Sequence, residues 1–225
     1  MVRLRAKAFL PALLSFAIMG VSTGSNQAES WHIGTHPSEW QVEYDGFGSV
    51  LADPEKGVRL TPKAASRADE THAALALSRR SLERPLKDFR LSLSVVTEAQ
   101  LREGSPANPW ECFWLFFNAG KEPGGRMRSN YFIFKPNGIE LGRAFNGIEQ
   151  VFLATATDPR MKIGVPSTLT LTKRGQQLNV AIDGRAVLEF AGRDLPQALF
   201  DEAGSIGVYT EDARVLVRDL KIEPL

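Results

Sequence analysis

From residue 88 to the end of the chain, apolar and polar positions alternate. FRLSLSVV (89–96), STLTLTKRG (167–175) and QLNVAIDG (177–184) place an apolar side chain at every second position, the period of a half-buried strand. NYFIFK (130–135) and IELGR (139–143) flank the turn signal PNG (136–138), and Asp183-Gly184 separates QLNVAI from RAVLEF. Both arrangements predict hairpins. VFLATA (151–156), SIGVYTE (205–211) and ARVLVRDLKIEP (213–224) read as further strands, and LPQALF (195–200) as a single helical turn. Earlier, VEYDGFGSVLA and GVRLTP read as strands. HAALALSRRSL (72–82) fits a strand or a helix by period alone, and the alternation of ALALS favours a strand. Many short strands, close turn signals and no long amphipathic helix predict an all-β fold, an antiparallel jelly-roll sandwich of two sheets.

One stretch breaks the alternation. In WECFWLFFN (110–118), both faces of a strand would be bulky and mostly apolar. Phe113, Leu115 and Phe117 form the more uniform set and are assigned to the core between the sheets. Trp110, Trp114 and Asn118 then share the opposite face with Cys112 and Phe116. An indole beside amide and charged groups suits a sugar, whose apolar ring face stacks while its hydroxyls hydrogen-bond. The competing reading has both faces covered, one by the second sheet and one by the N-terminal segment.

Composition narrows the function classes. Arg3, Arg5 and Lys7 precede an apolar run, AFLPALLSFAIMGV (8–21), and small residues follow. This is the pattern of a secretory signal peptide, with cleavage expected at 24–28. Residues 1–24 are thus a leader, 29–225 a single domain, and the product an exported protein, periplasmic or extracellular, without stable membrane insertion. Removing the leader takes 3 of the 27 basic residues and none of the 26 acidic ones, so 24 minus 26 gives a net charge of −2. That balance argues against nucleic acid as a partner. Cys112 is the only cysteine, and the three histidines (His32, His36, His72) lack metal-ligand spacing,.

The segments YFIFKPNGIELGR, EQVFLAT, LTLTKRGQQLNVAIDGRAVLEF and GSIGVYTEDARVLVRDLKIEPL resemble the concanavalin A-like lectin/glucanase superfamily. More narrowly, they are similar to bacterial jelly-roll domains of the laminin-G-like or 3-keto-disaccharide hydrolase type. The resemblance spans about residues 88–225. It implies the two-sheet fold, and as activities it admits glycan binding, glycoside hydrolysis and purely structural or protein-binding roles. Glucanases of the superfamily carry E-x-D-x-x-E on one strand. The nearest stretch here is EYDGFG (43–48), where Gly48 stands in place of the second glutamate. That chemistry is therefore disfavoured. For hydrolysis of the 3-keto-disaccharide type, the available carboxyl groups are Glu111, Glu140, Glu149, Glu211 and Asp212, and no catalytic pair is assigned among them.

The expected ligand is a glycan or small saccharide, with no cofactor and no metal. The expected binding residues are Trp110, Trp114, Asn118, Tyr131, Lys135, Glu140, Arg143, Tyr209 and Glu211, on the premise that NYFIFK pairs with both WECFWLFFN and IELGR.

Overall fold

A computed structural model describes residues 29–33, 36–145, 149–192 and 198–225. The expected leader and the first half of LPQALF (195–197) lie outside them. The strands β1 (Trp31–Ile33), β2 (Trp40–Tyr44), β3 (Ser49–Asp53), β4 (Gly57–Thr61) and β5 (Ala73–Ser78) precede a short helix, α1 (Arg79–Glu83). There follow β6 (Phe89–Gln100), β7 (Phe113–Lys121), β8 (Met127–Lys135), β9 (Gly138–Phe145) and β10 (Glu149–Ala156). The chain closes with β11 (Ser167–Arg174), β12 (Gln177–Ile182), β13 (Arg185–Ala191), β14 (Ser205–Glu211) and β15 (Ala213–Pro224). The ambiguous segment 72–82 holds both elements. Alternation carries β5 as far as Ser78, whose side chain then caps α1 by accepting from the Ser81 amide at 3.3 Å,.

Two antiparallel sheets pack face to face. One runs β13-β12-β11-β6-β15-β4-β3, with β1 also paired to β15; the other runs β10-β9-β8-β7-β14-β5-β2. The alternating strands supply the core as their period requires. Phe89, Leu91 and Leu93 of β6 and Leu169 and Leu171 of β11 come from the first sheet. Phe113, Leu115 and Phe117 of β7, Phe132 of β8 and Val208 of β14 come from the second, and all are buried. The Phe89 and Phe117 rings meet across the interface at 6.2 Å. Phe113, Leu115 and Phe117 are therefore inter-sheet core, and even-numbered Trp114 and Phe116 point to the outer face of the second sheet.

Several strands carry one extra residue against their partners. β7 does so around Asn118, where register slips against both β8 and β14 and Asn118 adopts φ +48°. β2, β10 and β13 do so at Glu43, Leu153 and Val187. Such bulges reset which face the following side chains occupy.

Candidate functional site

The register lines up side chains in rows across the outer face of the second sheet. One row reads Glu140, Ile133, Trp114, Tyr209, Leu75 and Tyr44 from β9 to β2. The next reads Gly142, Tyr131, Phe116, Gly207, Leu77 and Gln41. Aromatic rings from neighbouring strands therefore meet. Phe116 stacks on Tyr209 with centroids 4.7 Å apart and planes 16° from parallel. Trp114 lies 5.3 Å from Tyr209 and 5.2 Å from Tyr131. Tyr44 meets Tyr209 edge-on at 6.5 Å. Gly142 leaves space for the Tyr131 ring, and Gly207 for the Leu77 side chain.

A cavity of about 310 Å³ opens over this cluster. Trp114, Phe116, Tyr209, Tyr44 and Met127 form its apolar lining, and Ser129, Glu149, Gln150 and Glu211 contribute polar groups. The Ser129 hydroxyl is buried and has no hydrogen-bond partner among the described residues. An apolar floor with a few polar groups at its edge is the usual make-up of a small-molecule site, although 310 Å³ is near the lower end of the roughly 300–1,000 Å³ such sites occupy,.

Glu211 is the carboxyl group of this lining that packs against the rings. Burial among the rings pushes its carboxyl above the ordinary glutamate value, opposed by the Tyr209 hydroxyl, which donates to Oε1 at 2.5 Å. Nearby Asp212 is raised as well, chiefly by burial. Its carboxylate accepts from the His72 amide and from the Arg102 guanidinium, both at 2.9 Å. Arg102 is itself buried and also pairs with Glu111, which accepts from Asn108 at 2.8 Å. This buried charge cluster pins the 101–112 loop against the start of β15, so that Glu211 has fixed neighbours on one side and the cavity on the other.

The expected site residues divide into three groups. Trp114, Tyr209 and Glu211 line the cavity. Tyr131, Lys135 and Glu140 form a polar framework beside it. The Tyr131 hydroxyl donates to Glu140 at 3.0 Å and accepts from Gln150 at 2.8 Å, and Lys135 forms an ion pair with Glu140. Tyr131 is fully buried and Glu140 nearly so. Trp110, Asn118 and Arg143 lie elsewhere, contrary to expectation. Trp110 precedes β7, is half exposed, and offers its carbonyl to the Trp114 indole at 2.8 Å. Asn118 is turned off the outer face by the bulge and donates to the carbonyls of Leu86, Lys87 and Glu202. Arg143 sits beside the Phe200 ring, at 5.6 Å.

Sequence reasoning missed Phe116, Tyr44, Met127, Ser129 and Gln150, and named Glu149 only as an available carboxyl group. Phe116 shares the parity of Trp114 and was legible. Ser129 and Met127 share the parity of Tyr131. Tyr44 reaches the site only through two strand pairings, which local pattern does not encode.

Trp114 itself is only 6% exposed. It is part of a packed floor and does not stand as an open platform. Among the described residues, no group of three or more His, Cys, Asp or Glu side chains is placed to hold a metal ion, and no helix is long and apolar enough to cross a membrane.

The chain matches no protein-family model and no curated protein. It does share its fold with solved structures. A carbohydrate-binding module of Bacillus subtilis, CBM66, aligns with a TM-score of 0.60 at 13% identity over 84% of this chain and 96% of that one. A Bacillus subtilis protein of unknown function with a galectin-like fold aligns at 0.57 and 14% identity, over 83% and 89%. The exoplasmic/lumenal domain of VIP36, in its Ca2+/Man3GlcNAc-bound form, aligns at 0.54 and 13% identity, over 85% of each chain. At these identities the likeness is one of fold: a galectin-like, jelly-roll sandwich of two antiparallel sheets.

Proposed function

We propose that this protein is an exported carbohydrate-binding sandwich that takes a saccharide in the cavity over Trp114, Phe116 and Tyr209. One observation carries the reading. Stacked and edge-on rings from the adjoining strands β7 and β14 form an apolar floor, with Ser129, Gln150 and Glu211 at its edge. A pyranose or furanose has the complementary surface, with C–H groups on one face and hydroxyls around the ring. A carbohydrate-binding module and a glycan-bound lumenal domain among proteins of the same fold support the same reading. Export rests on the basic residues and apolar run at the N-terminus,.

Hydrolysis of a glycosidic bond, as in the 3-keto-disaccharide type, is the second reading. It is favoured by the raised carboxyl of Glu211, which suits a general acid,. It needs a second group to activate water: Glu140 is already engaged by Tyr131 and Lys135, and Glu149, the other carboxyl of the lining, is exposed at the start of the edge strand β10. Binding without turnover is therefore preferred over both hydrolysis and a purely structural role.

The test is titration of the purified protein with a panel of neutral mono- and oligosaccharides, alongside Tyr44→Ala. Tyr44 is half-buried on the edge strand β2 and its ring closes one side of the cavity. Loss of a stacking contact worth roughly 1–1.5 kcal/mol weakens binding about five- to tenfold while thermal unfolding stays near wild type. Absence of saccharide binding by the native protein overturns the proposal. Release of sugar products instead supports the hydrolytic reading.

A further inference from the structure

The aromatic cavity has a neighbour. Farther along the same outer face, a second cavity of about 310 Å³ lies over Leu77, Leu82 and Ala119, with Gln41, Glu43 and Lys121 on its rim. Met127 lines both cavities. The register also joins them, because Phe116 of the first and Leu77 and Gln41 of the second stand in one row through Gly207. The face is continuous there because Gly207 has no side chain to raise a wall. A Cβ at that position would come within 2.7 Å of Leu77.

The polar groups of the second cavity are arranged among themselves. Gln41 donates to Glu43 at 2.6 Å, and Lys121 pairs with Glu43 at 3.1 Å. The rim is thus electrically balanced and offers an amide, a carboxylate and an ammonium around an apolar floor. The first cavity carries Glu149 and Glu211 and no basic group in its lining. Neither cavity has an excess of positive charge to attract an anionic ligand. Each alone is near the lower limit for a small-molecule site, and the pair together falls well inside the range.

We propose that the second cavity is a further saccharide subsite, so that the ligand is a neutral oligosaccharide of at least two rings that spans Met127. This rests on the reading of the first cavity as a saccharide site. One ring lies on the Trp114, Phe116 and Tyr209 floor. The next lies on Leu77, and its hydroxyls exchange hydrogen bonds with Gln41, Glu43 and Lys121. The glycosidic link crosses the Met127 side chain, whose unbranched thioether adapts to an irregular contact.

The experiment is calorimetric titration of the native protein with neutral gluco-, manno- and fructo-oligosaccharides of one to six rings, and with uronic-acid oligomers of matching length. Affinity is expected to rise about tenfold or more when the neutral ligand lengthens past one ring, and uronic-acid oligomers are expected to bind more weakly than neutral ones. Two variants locate the gain. Ala203→Trp puts a large side chain at an exposed position of the second cavity's lining. Lys121→Ala removes a mostly exposed rim group. Both are expected to reduce the gain from lengthening while leaving single-ring binding unchanged. Equal affinity for one ring and for longer chains overturns the subsite and leaves the first cavity's reading intact, and so does a gain that persists in both variants. Preference for uronic-acid oligomers overturns the neutral-ligand assignment. No binding of any saccharide overturns the first reading and this one with it.

Discussion

The Tyr131 side chain crosses directly over Gly142 on the neighbouring strand, so closely that a Cβ at 142 would lie 2.2 Å from the phenol oxygen. The glycine lets Tyr131 lean across β9 and reach Glu140 and Gln150. This fixes the framework beside the cavity from outside the cavity itself.

Gly142→Ala therefore has to move a buried ring or the backbone. Val151 O would stand 2.5 Å from the new Cβ on its other side, so the backbone cannot easily give way. Overpacking of this kind costs roughly 1–3 kcal/mol, which in a chain of this size lowers the melting temperature by roughly 2–12 °C. Thermal unfolding followed by circular dichroism checks it, and an unchanged midpoint would show that Tyr131 is free to swing away.

Trp114→Ala is expected to act on stability first. The indole is packed by Phe116, Tyr131 and Tyr209, and its N–H donates to the Trp110 carbonyl. Removing it leaves a void and an unpaired carbonyl, at a cost of about 3–5 kcal/mol, or roughly 6–20 °C in melting temperature. Trp114→Phe should lose less, because most of the ring contact survives. A Trp114→Ala protein that melts like wild type would show that the floor is loosely packed.

The pH dependence of stability has a source in Glu211. Burial raises its carboxyl in the folded chain above the value of 4.5 that applies when it is unfolded. In the window just above 4.5 the folded state holds a proton that the unfolded state has released. Stability therefore falls as pH rises through that window and levels off beyond the folded value. Asp212 contributes in the same direction. Glu211→Gln removes the Glu211 share. Its melting temperature should match wild type near about pH 4, exceed it increasingly as pH rises above the unfolded value, and then keep a constant lead once the folded-state carboxyl has also ionised. A difference that stays constant across the whole range would mean that Glu211 does not titrate differently in the two states.

Cys112 is fully buried, and desolvation holds its thiol well above the ordinary cysteine value. The thiolate is the reactive form, so a thiol reagent should label the native protein slowly and the denatured protein quickly at the same pH. Comparable rates in the two states would place the sulfur at the surface.

Much of the fold was legible because its strands obey a period of two over lengths the chain makes plain. FRLSLSVV, STLTLTKR and QLNVAI each bury alternate residues as their pattern requires. The split of WECFWLFFN into a core face and an outer face was legible on the same ground, for Phe113 to Phe117. It failed at both ends. β7 begins at Phe113, so Trp110 belongs to a loop. The bulge at Asn118 reverses the parity beyond Phe117. A one-residue insertion leaves no trace in composition, yet it exchanges the faces of the residues after it. The cavity was less legible still. Tyr44 and Tyr209 lie far apart in the chain, and their rings meet through β5, which pairs with both their strands. The segment 72–82 also resisted a single assignment, because one run of residues holds a strand and then a helical turn.

The extra residues at Glu43, Leu153 and Val187 share a location: each sits in the outermost strand of its sheet, β2, β10 or β13. Two other described strands have an unpaired edge, β3 and β1, and they are only five and three residues long. A bulge interrupts the even spacing of amide and carbonyl groups that an incoming strand must match, and it twists the edge away from the sheet plane. Among the described residues, a second copy thus finds no long regular ladder to extend at the sheet margins, even where Phe152 leaves an aromatic ring 60% exposed on β10. Irregularities that obscured the sequence pattern are, for the folded protein, a barrier to edge-to-edge aggregation.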